Sequence, residues 1–140
     1  MATIPIGTKG ESKIRVTPEN AVDFLGLASA RVLGTPYLVS YLEFTARNSV
    51  LPFLEKGYDT VGARVDVKHL AATPMGMEVT FQSELIAVED RRLTFQVRAF
   101  DEKDVISEGT HERALVNVER FAARVAAKAV SAGSVSPSKI

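Results

Sequence analysis

Pro36-Tyr37-Leu38-Val39-Ser40-Tyr41-Leu42-Glu43-Phe44-Thr45-Ala46 is the most apolar helix this chain can make, and Glu43 is its one charged residue. A helix that is apolar nearly all round is a buried helix, so the rest of the fold has to be built around it. Thr35-Pro36 supplies the start signal, a threonine N-cap followed by proline at the first helical position. The helix should run to about Val50, with Pro52 bending or ending it before Gly57. An ionised side chain in such a helix must face a polar cleft or be held by a partner, because desolvating it alone costs about several kcal/mol or raises its pKa. Glu43 is therefore the leading functional candidate.

C-terminal to this helix the apolar period changes from helical to alternating. From Tyr58, the residues Val61, Ala63, Val65 and Val67 share one phase, and Gly62, Arg64, Asp66 and Lys68 the other. His69 falls on the inward phase at the end of this strand. Ala72-Thr73-Pro74-Met75-Gly76 is turn chemistry, and a strand from Met77 to about Val88 follows, with Val79, Phe81 and Leu85 in phase. Asp90-Arg91 makes a tight reversal into a strand carrying Leu93, Phe95, Val97 and Ala99. Asp101 to Asp104 turns again into a last strand from about Val105 to Val118. Successive strands joined by short turns imply an antiparallel meander. N-terminal to the long helix, a short strand is expected around Ser12 to Val16, then a short helix opened by Thr17-Pro18 and running to Leu25. Gly26 to Gly34 reads as a connector. Glu119 to Val130 is alanine-rich and amphipathic and reads as a surface helix, and residues 131–140 as a disordered tail. The expected fold is α+β: a curved antiparallel sheet wrapped around one long central helix, in a single domain over residues 1–130. Its open sheet edges make a homodimer the default expectation.

Composition narrows the chemistry. Lysine plus arginine (17) equals aspartate plus glutamate (17), so no bulk positive field attracts nucleic acid or anionic membrane. With no cysteine, disulfides, thiolate metal sites and a cysteine nucleophile are excluded. Two histidines without a ligand-like spacing make a metal site an unexpected reading. No segment reads as a secretory leader or as about 18 uninterrupted apolar residues, so a soluble, cytoplasmic protein is expected. Oxygen and imidazole must do the work. Thr35, Glu43 and His69 gather by pattern into one candidate site, although Thr35 before Pro36 is also an ordinary cap and His69 could be a core histidine. His111 and Arg113 are weaker candidates, on alternate positions of the last strand.

His69-Leu70-Ala71-Ala72-Thr73-Pro74-Met75-Gly76, Gly109-Thr110-His111-Glu112-Arg113-Ala114, and the helix carrying Glu43 eight residues after Thr35 resemble the hotdog-fold acyl-CoA thioesterases of the fluoroacetyl-CoA thioesterase-like branch. The likeness extends from about Ile6 to Val125. It implies a hotdog homodimer that hydrolyses a short-chain acyl-CoA without metal or separate cofactor, coenzyme A being part of the substrate. It also implies catalytic roles for Thr35, Glu43 and His69, with Gly62 lining the site. Two features depart from the family pattern. The segment corresponding to the aromatic lid reads Leu25-Gly26-Leu27-Ala28-Ser29-Ala30-Arg31, and Pro36 stands where the family has glycine.

In this reading Pro36, Tyr37 and Arg113 join Gly62 as substrate-binding residues. The amides of Tyr37 or Leu38 at the helix N-terminus would polarise the thioester carbonyl. His69 would act as base, Thr35 as nucleophile or water-positioning group, and Glu43 would orient the imidazole or stabilise its cation. Eight helical residues rise about 12 Å, too far for Thr35 and Glu43 of one straight helix to meet. A composite site at a dimer interface is therefore expected. The alternatives are a hotdog 3-hydroxyacyl thioester dehydratase or hydratase, and a noncatalytic acyl-CoA-binding module.

Overall fold

The apolar segment forms a 16-residue helix, α1 (Thr35–Val50), continued by a 3-10 turn at Leu51–Phe53 where Pro52 lacks the amide that a further α-turn needs. A computed structural model describes residues 3–132. In it β1 (Lys9–Arg15) precedes α1, and β2 (Tyr58–His69), β3 (Glu78–Glu89), β4 (Arg92–Phe100), β5 (Val105–Asn117) and a second helix, α2 (Val118–Ser131), follow.

The five strands make one sheet in the order β1-β3-β4-β5-β2, with every pairing antiparallel. Only β3, β4 and β5 form the expected meander. β2 lies beyond β5 instead of beside β3, because the link after His69 is tied to the far side of the sheet. There Leu33 donates its amide to the Thr73 carbonyl, Val32 bridges Pro74, and Val16 donates to Met77. The turns themselves are as expected: Asp90 takes a positive φ of 56° in the first, and the Asp101 carboxylate accepts the amides of Lys103 and Asp104 in the second.

One expectation near the N-terminus fails. No helix follows Thr17-Pro18. Buried Asn20 accepts the Thr17 amide and donates to the Arg15 carbonyl and the Tyr41 hydroxyl, closing a turn that competes with helix formation. The connector after it carries a 3-10 turn at Ala28–Ala30 and single bridges from Val32 to Pro74 and from Leu33 to Ala21. In β2 the alternation also breaks, because the register with β5 shifts between Gly62 and Arg64. Gly62 faces Arg113, whereas Val65 faces His111 and His69 faces Ser107. Val65, Val67 and His69 thus share the phase of His111 and Ser107, although Val65 at the sheet edge stays 38% exposed, while Val61 and Ala63 lose that phase to the bulge.

Leu38, Leu42, Ala46 and Val50 of α1 are buried against Val79, Phe81 and Leu85 of β3 and Leu93, Phe95, Val97 and Ala99 of β4. Each large apolar side chain buried this way contributes roughly 1.5–3 kcal/mol. Gly10 of β1 lets the helix settle onto the sheet: a Cβ there would lie 2.7 Å from the Thr45 carbonyl oxygen and 2.8 Å from the Ser49 Cβ. A two-point Arg47–Asp59 ion pair, at 3.0 and 2.7 Å, ties the end of α1 to β2. The outward face of α1 is not covered, with Tyr37 44% and Phe44 56% exposed, so the helix is apolar on both faces but buried on one. α2 is capped by the Asn117 side chain and buries none of its residues. Ser131 belongs to this helix, and the rest of the expected tail falls from 133 onward outside the described residues. Among the described residues no helix is long and apolar enough to cross a membrane.

Candidate active site

The N-terminus of α1 and the end of β2 bring Thr35 and His69 together, the threonine hydroxyl lying 2.7 Å from His69 Nδ1. Thr35 is not the N-cap. Gly34 holds that position, one residue earlier than expected, and no side chain caps the helix. The Thr35 hydroxyl is thereby left for the imidazole. Burial pushes the His69 pKa below its ordinary value of 6.5, partly opposed by the Ala71 backbone, so the ring is neutral at pH 7 and can accept a proton. Pro36 is exposed in the first turn and supplies no amide. The Leu38 amide is spent on the Gly34 carbonyl at 3.0 Å, which removes it from the expected oxyanion donors and leaves Tyr37. The pair borders an apolar depression lined by Val22, Phe24, Leu25, Val32, Leu33 and Leu70, with Phe24 79% exposed at its rim. Apolar surface beside a polar pair is the usual character of a ligand pocket.

A second cluster forms two helical turns along α1. Glu43 is neither alone nor fully buried: its side chain is 36% exposed, and Oε1 lies 3.4 Å from Arg113 Nη1 and 3.8 Å from His111 Nε2. Gly62 is what makes room for it, since a Cβ there would collide with the same carboxylate oxygen. Arg113 is nearly buried and fully committed. It donates to the Thr60 hydroxyl (2.7 Å) and carbonyl (2.8 Å), to His111 Nε2 (3.1 Å) and to Glu43. Because His111 Nε2 accepts from the guanidinium, Nδ1 carries the ring proton and donates to the Arg64 carbonyl at 2.8 Å. Burial, with the Arg113 charge adding to it, lowers the His111 pKa and keeps this ring neutral. His111 is thus a support for Arg113, and the alternation of β5 was the signal that placed both on the inner face.

Within one protomer, then, Thr35 meets His69 and Glu43 meets Gly62 and Arg113, but Glu43 is not hydrogen-bonded to either member of the first pair. The arrangement offers a hydroxyl–imidazole couple at one end of α1 and a carboxylate held by an arginine further along it. Among the described residues no cluster of three His, Cys, Asp or Glu side chains could hold a metal.

Comparison with known proteins is consistent across sequence and structure. The family model described as fluoroacetyl-CoA-specific thioesterase matches residues 16–119. The chain is 42% identical over 97 residues to the fluoroacetyl-CoA thioesterase of Streptantibioticus cattleyicolor, covering 69% of this chain and 70% of that protein. A solved structure of a fluoroacetyl-CoA thioesterase superposes with a TM-score of 0.82 at 34% identity, over 90% of this chain and 98% of the other. A mutant of such an enzyme in complex with fluoroacetate and CoA gives 0.76 at 36% identity, over 84% and 98%. A Thermus thermophilus protein of the thioesterase superfamily gives 0.82 at 30% identity, over 91% and 94%. The sheet wrapped around one long helix is thus the hotdog fold, and the chain belongs to the fluoroacetyl-CoA-specific thioesterase family.

Proposed function

We propose that the protein hydrolyses a short-chain acyl-CoA to the free acid and CoA at a site that uses Thr35, His69 and Glu43, with no metal and no cofactor beyond the CoA of the substrate. As a member of its family it is a thioester hydrolase, and a solved relative accommodates fluoroacetate and CoA. The observation that carries the residue assignment is the 2.7 Å approach of Thr35 Oγ1 to a neutral His69 Nδ1 beside an apolar depression.

In this reading the acyl group enters the depression and its carbonyl oxygen lies against the Tyr37 amide, where negative charge develops. His69 Nδ1 takes the proton of Thr35, or of a water that Thr35 positions, as the new C–O bond forms. The carbon–sulfur bond then breaks and the proton passes to the departing CoA sulfur. If Thr35 itself attacks, water hydrolyses the acyl-threonine in a second round. Rapid-quench intact mass separates the two routes by the presence or absence of an acylated chain.

Glu43 reaches this chemistry from a second copy. Among the described residues β2 is an edge strand of twelve residues with nothing paired to its outer side; Val65 in it and Tyr37 and Phe44 of α1 are exposed apolar side chains. An antiparallel pairing of two β2 strands would set the His69 end of one copy against the Gly62 region of the other. That brings Thr35 and His69 of one protomer toward Glu43 and Arg113 of its partner.

The test is thiol release from a series of acyl-CoAs, read with a colorimetric thiol reagent. The wild type should release CoA in step with free acid, and His69→Ala and Thr35→Ala should each lose on the order of 10²- to 10⁴-fold in rate while keeping the fold. Enoyl absorbance without thiol release, or unchanged hydrolysis in both variants, would overturn the assignment.

A further inference from the structure

A positive cleft lies at the other end of β2 and β5, away from the Thr35–His69 pair of the same protomer. Arg91 in the β3–β4 turn and Arg120 and Arg124 of α2 line it together with Asn117 and Ala123. Arg120 and Arg124 are one helical turn apart and share a face, which Lys128 continues. Arg47 is paired with Asp59, Arg64 with Asp66 and Glu112, Arg92 with Glu112 and Arg113 with Glu43, while Arg15 and Arg31 donate to backbone carbonyls and Arg98 lies over the Phe100 ring. Arg91, Arg120 and Arg124 have no carboxylate partner among the described residues. Glu89 and Asp90 line the neighbouring depression, and no acidic residue lines this one. Arg124 is held over the Phe121 ring at 5.9 Å, which restricts where its guanidinium points. In a chain of zero net charge, three unpaired guanidinium groups around one cleft concentrate positive potential where a polyanion fits.

The position of the cleft indicates which polyanion. Asn117 pairs with Tyr58 and stands four residues along β5 from Arg113, roughly 13 Å of strand at 3.3 Å per residue. The cleft therefore opens beyond the end of the sheet nearest Gly62 and Arg113, the strand residues that contact Glu43 of α1. Where Thr35 and His69 of one copy meet this cluster of another, as proposed above, the pantetheine arm of a bound thioester runs toward the cleft and brings the phosphates of its nucleotide there. We propose that Arg91, Arg120 and Arg124 bind the adenosine 3′,5′-bisphosphate moiety of coenzyme A. Guanidinium forks take phosphate oxygens two at a time, and such pairs are stronger than neutral hydrogen bonds. The proposal rests on the acyl-CoA hydrolase reading for its ligand, and its test separates the two.

The whole protein and its Arg120→Gln/Arg124→Gln variant are compared in two assays. Calorimetric titration with adenosine 3′,5′-bisphosphate needs no turnover, so it reads the cleft even if the hydrolysis assignment fails. Steady-state rates on an acyl-CoA and on the matching acyl-pantetheine thioester read the contribution of the nucleotide. The double variant, whose side chains are exposed on α2, should keep the thermal midpoint of the parent. It should bind the bisphosphate at least about tenfold more weakly and show at least about a tenfold higher KM for acyl-CoA. Its kcat, and its kcat/KM on acyl-pantetheine, should stay within about twofold, as expected where only a remote handle is lost. Equal losses on both thioesters, or an unchanged KM with unchanged bisphosphate binding, would overturn the proposal. So would inorganic phosphate binding the wild type as tightly as the bisphosphate, since the cleft would then be a generic anion site.

Discussion

At the scale of single residues, two positions shape the candidate site through what their side chains leave free. Thr35 reads as an N-cap, but Gly34 takes that position and the hydroxyl goes to His69. Gly62 lacks the Cβ that would strike Glu43 Oε1. Because the obstructed atom is the end of a flexible side chain, Gly62→Ala should fold normally while swinging the carboxylate off Arg113. The expected outcome is a fall in kcat of about 10- to 100-fold, the size of effect that a misplacement of about 1 Å produces, with an unchanged thermal midpoint. A variant as active as the parent would show that the position of Glu43 does not matter. The depressed His69 pKa makes a second prediction. A base must be neutral, so kcat/KM should hold its plateau below pH 6.5 and decline only as pH falls through the lowered value. An acid limb centred above pH 6.5 would contradict it. The Glu43–Arg113 contact was beyond sequence reading, since it joins residues 70 apart and depends on the β2–β5 register.

At the scale of elements, the apolar period settled α1, β3, β4 and β5 closely, because each is long and has one uninterrupted inner face. β2 was legible only in extent. Its bulge at Gly62-Ala63-Arg64 leaves no mark in an alternation of small and charged residues, and the partner of an edge strand is chosen by the path of the following link. The missing helix after Thr17-Pro18 has the same origin: local start signals favour it, and tertiary bonds from Asn20 to Arg15 and Tyr41 outcompete it. Element packing makes its own prediction at Gly10, where the helix backbone at Thr45 stands against the strand. Gly10→Ala should destabilise the fold by about 1–3 kcal/mol in denaturant titration, as overpacking does, because a backbone atom cannot step aside as a side chain can. A neutral substitution would mean that α1 sits further from β1 than described.

For the whole molecule, stability and activity should respond to pH through different groups. His69 and His111 are both held below their ordinary pKa by burial, so the unfolded chain takes up protons first as pH falls. Their contribution is complete above about pH 6.5 and declines below it, as the unfolded state gains protons that the folded state refuses. Asp59, held down by Arg47, contributes stability above its ordinary 3.8 and loses it further into acid. Denaturant midpoints should therefore be flat from pH 7 to 8, drop between pH 6.5 and 5, and drop again below pH 4. The central claim is that hydrolysis needs Thr35 and His69 of one copy beside Glu43 of another. Its most direct test co-expresses His69→Ala and Glu43→Gln copies carrying different tags and assays the purified mixed dimer for CoA release. Each mixed dimer retains one intact composite site, so activity should return to about half that of the wild-type dimer although both parent variants are nearly inactive. A mixed dimer as inactive as its parents would place all three residues in one protomer and contradict the account.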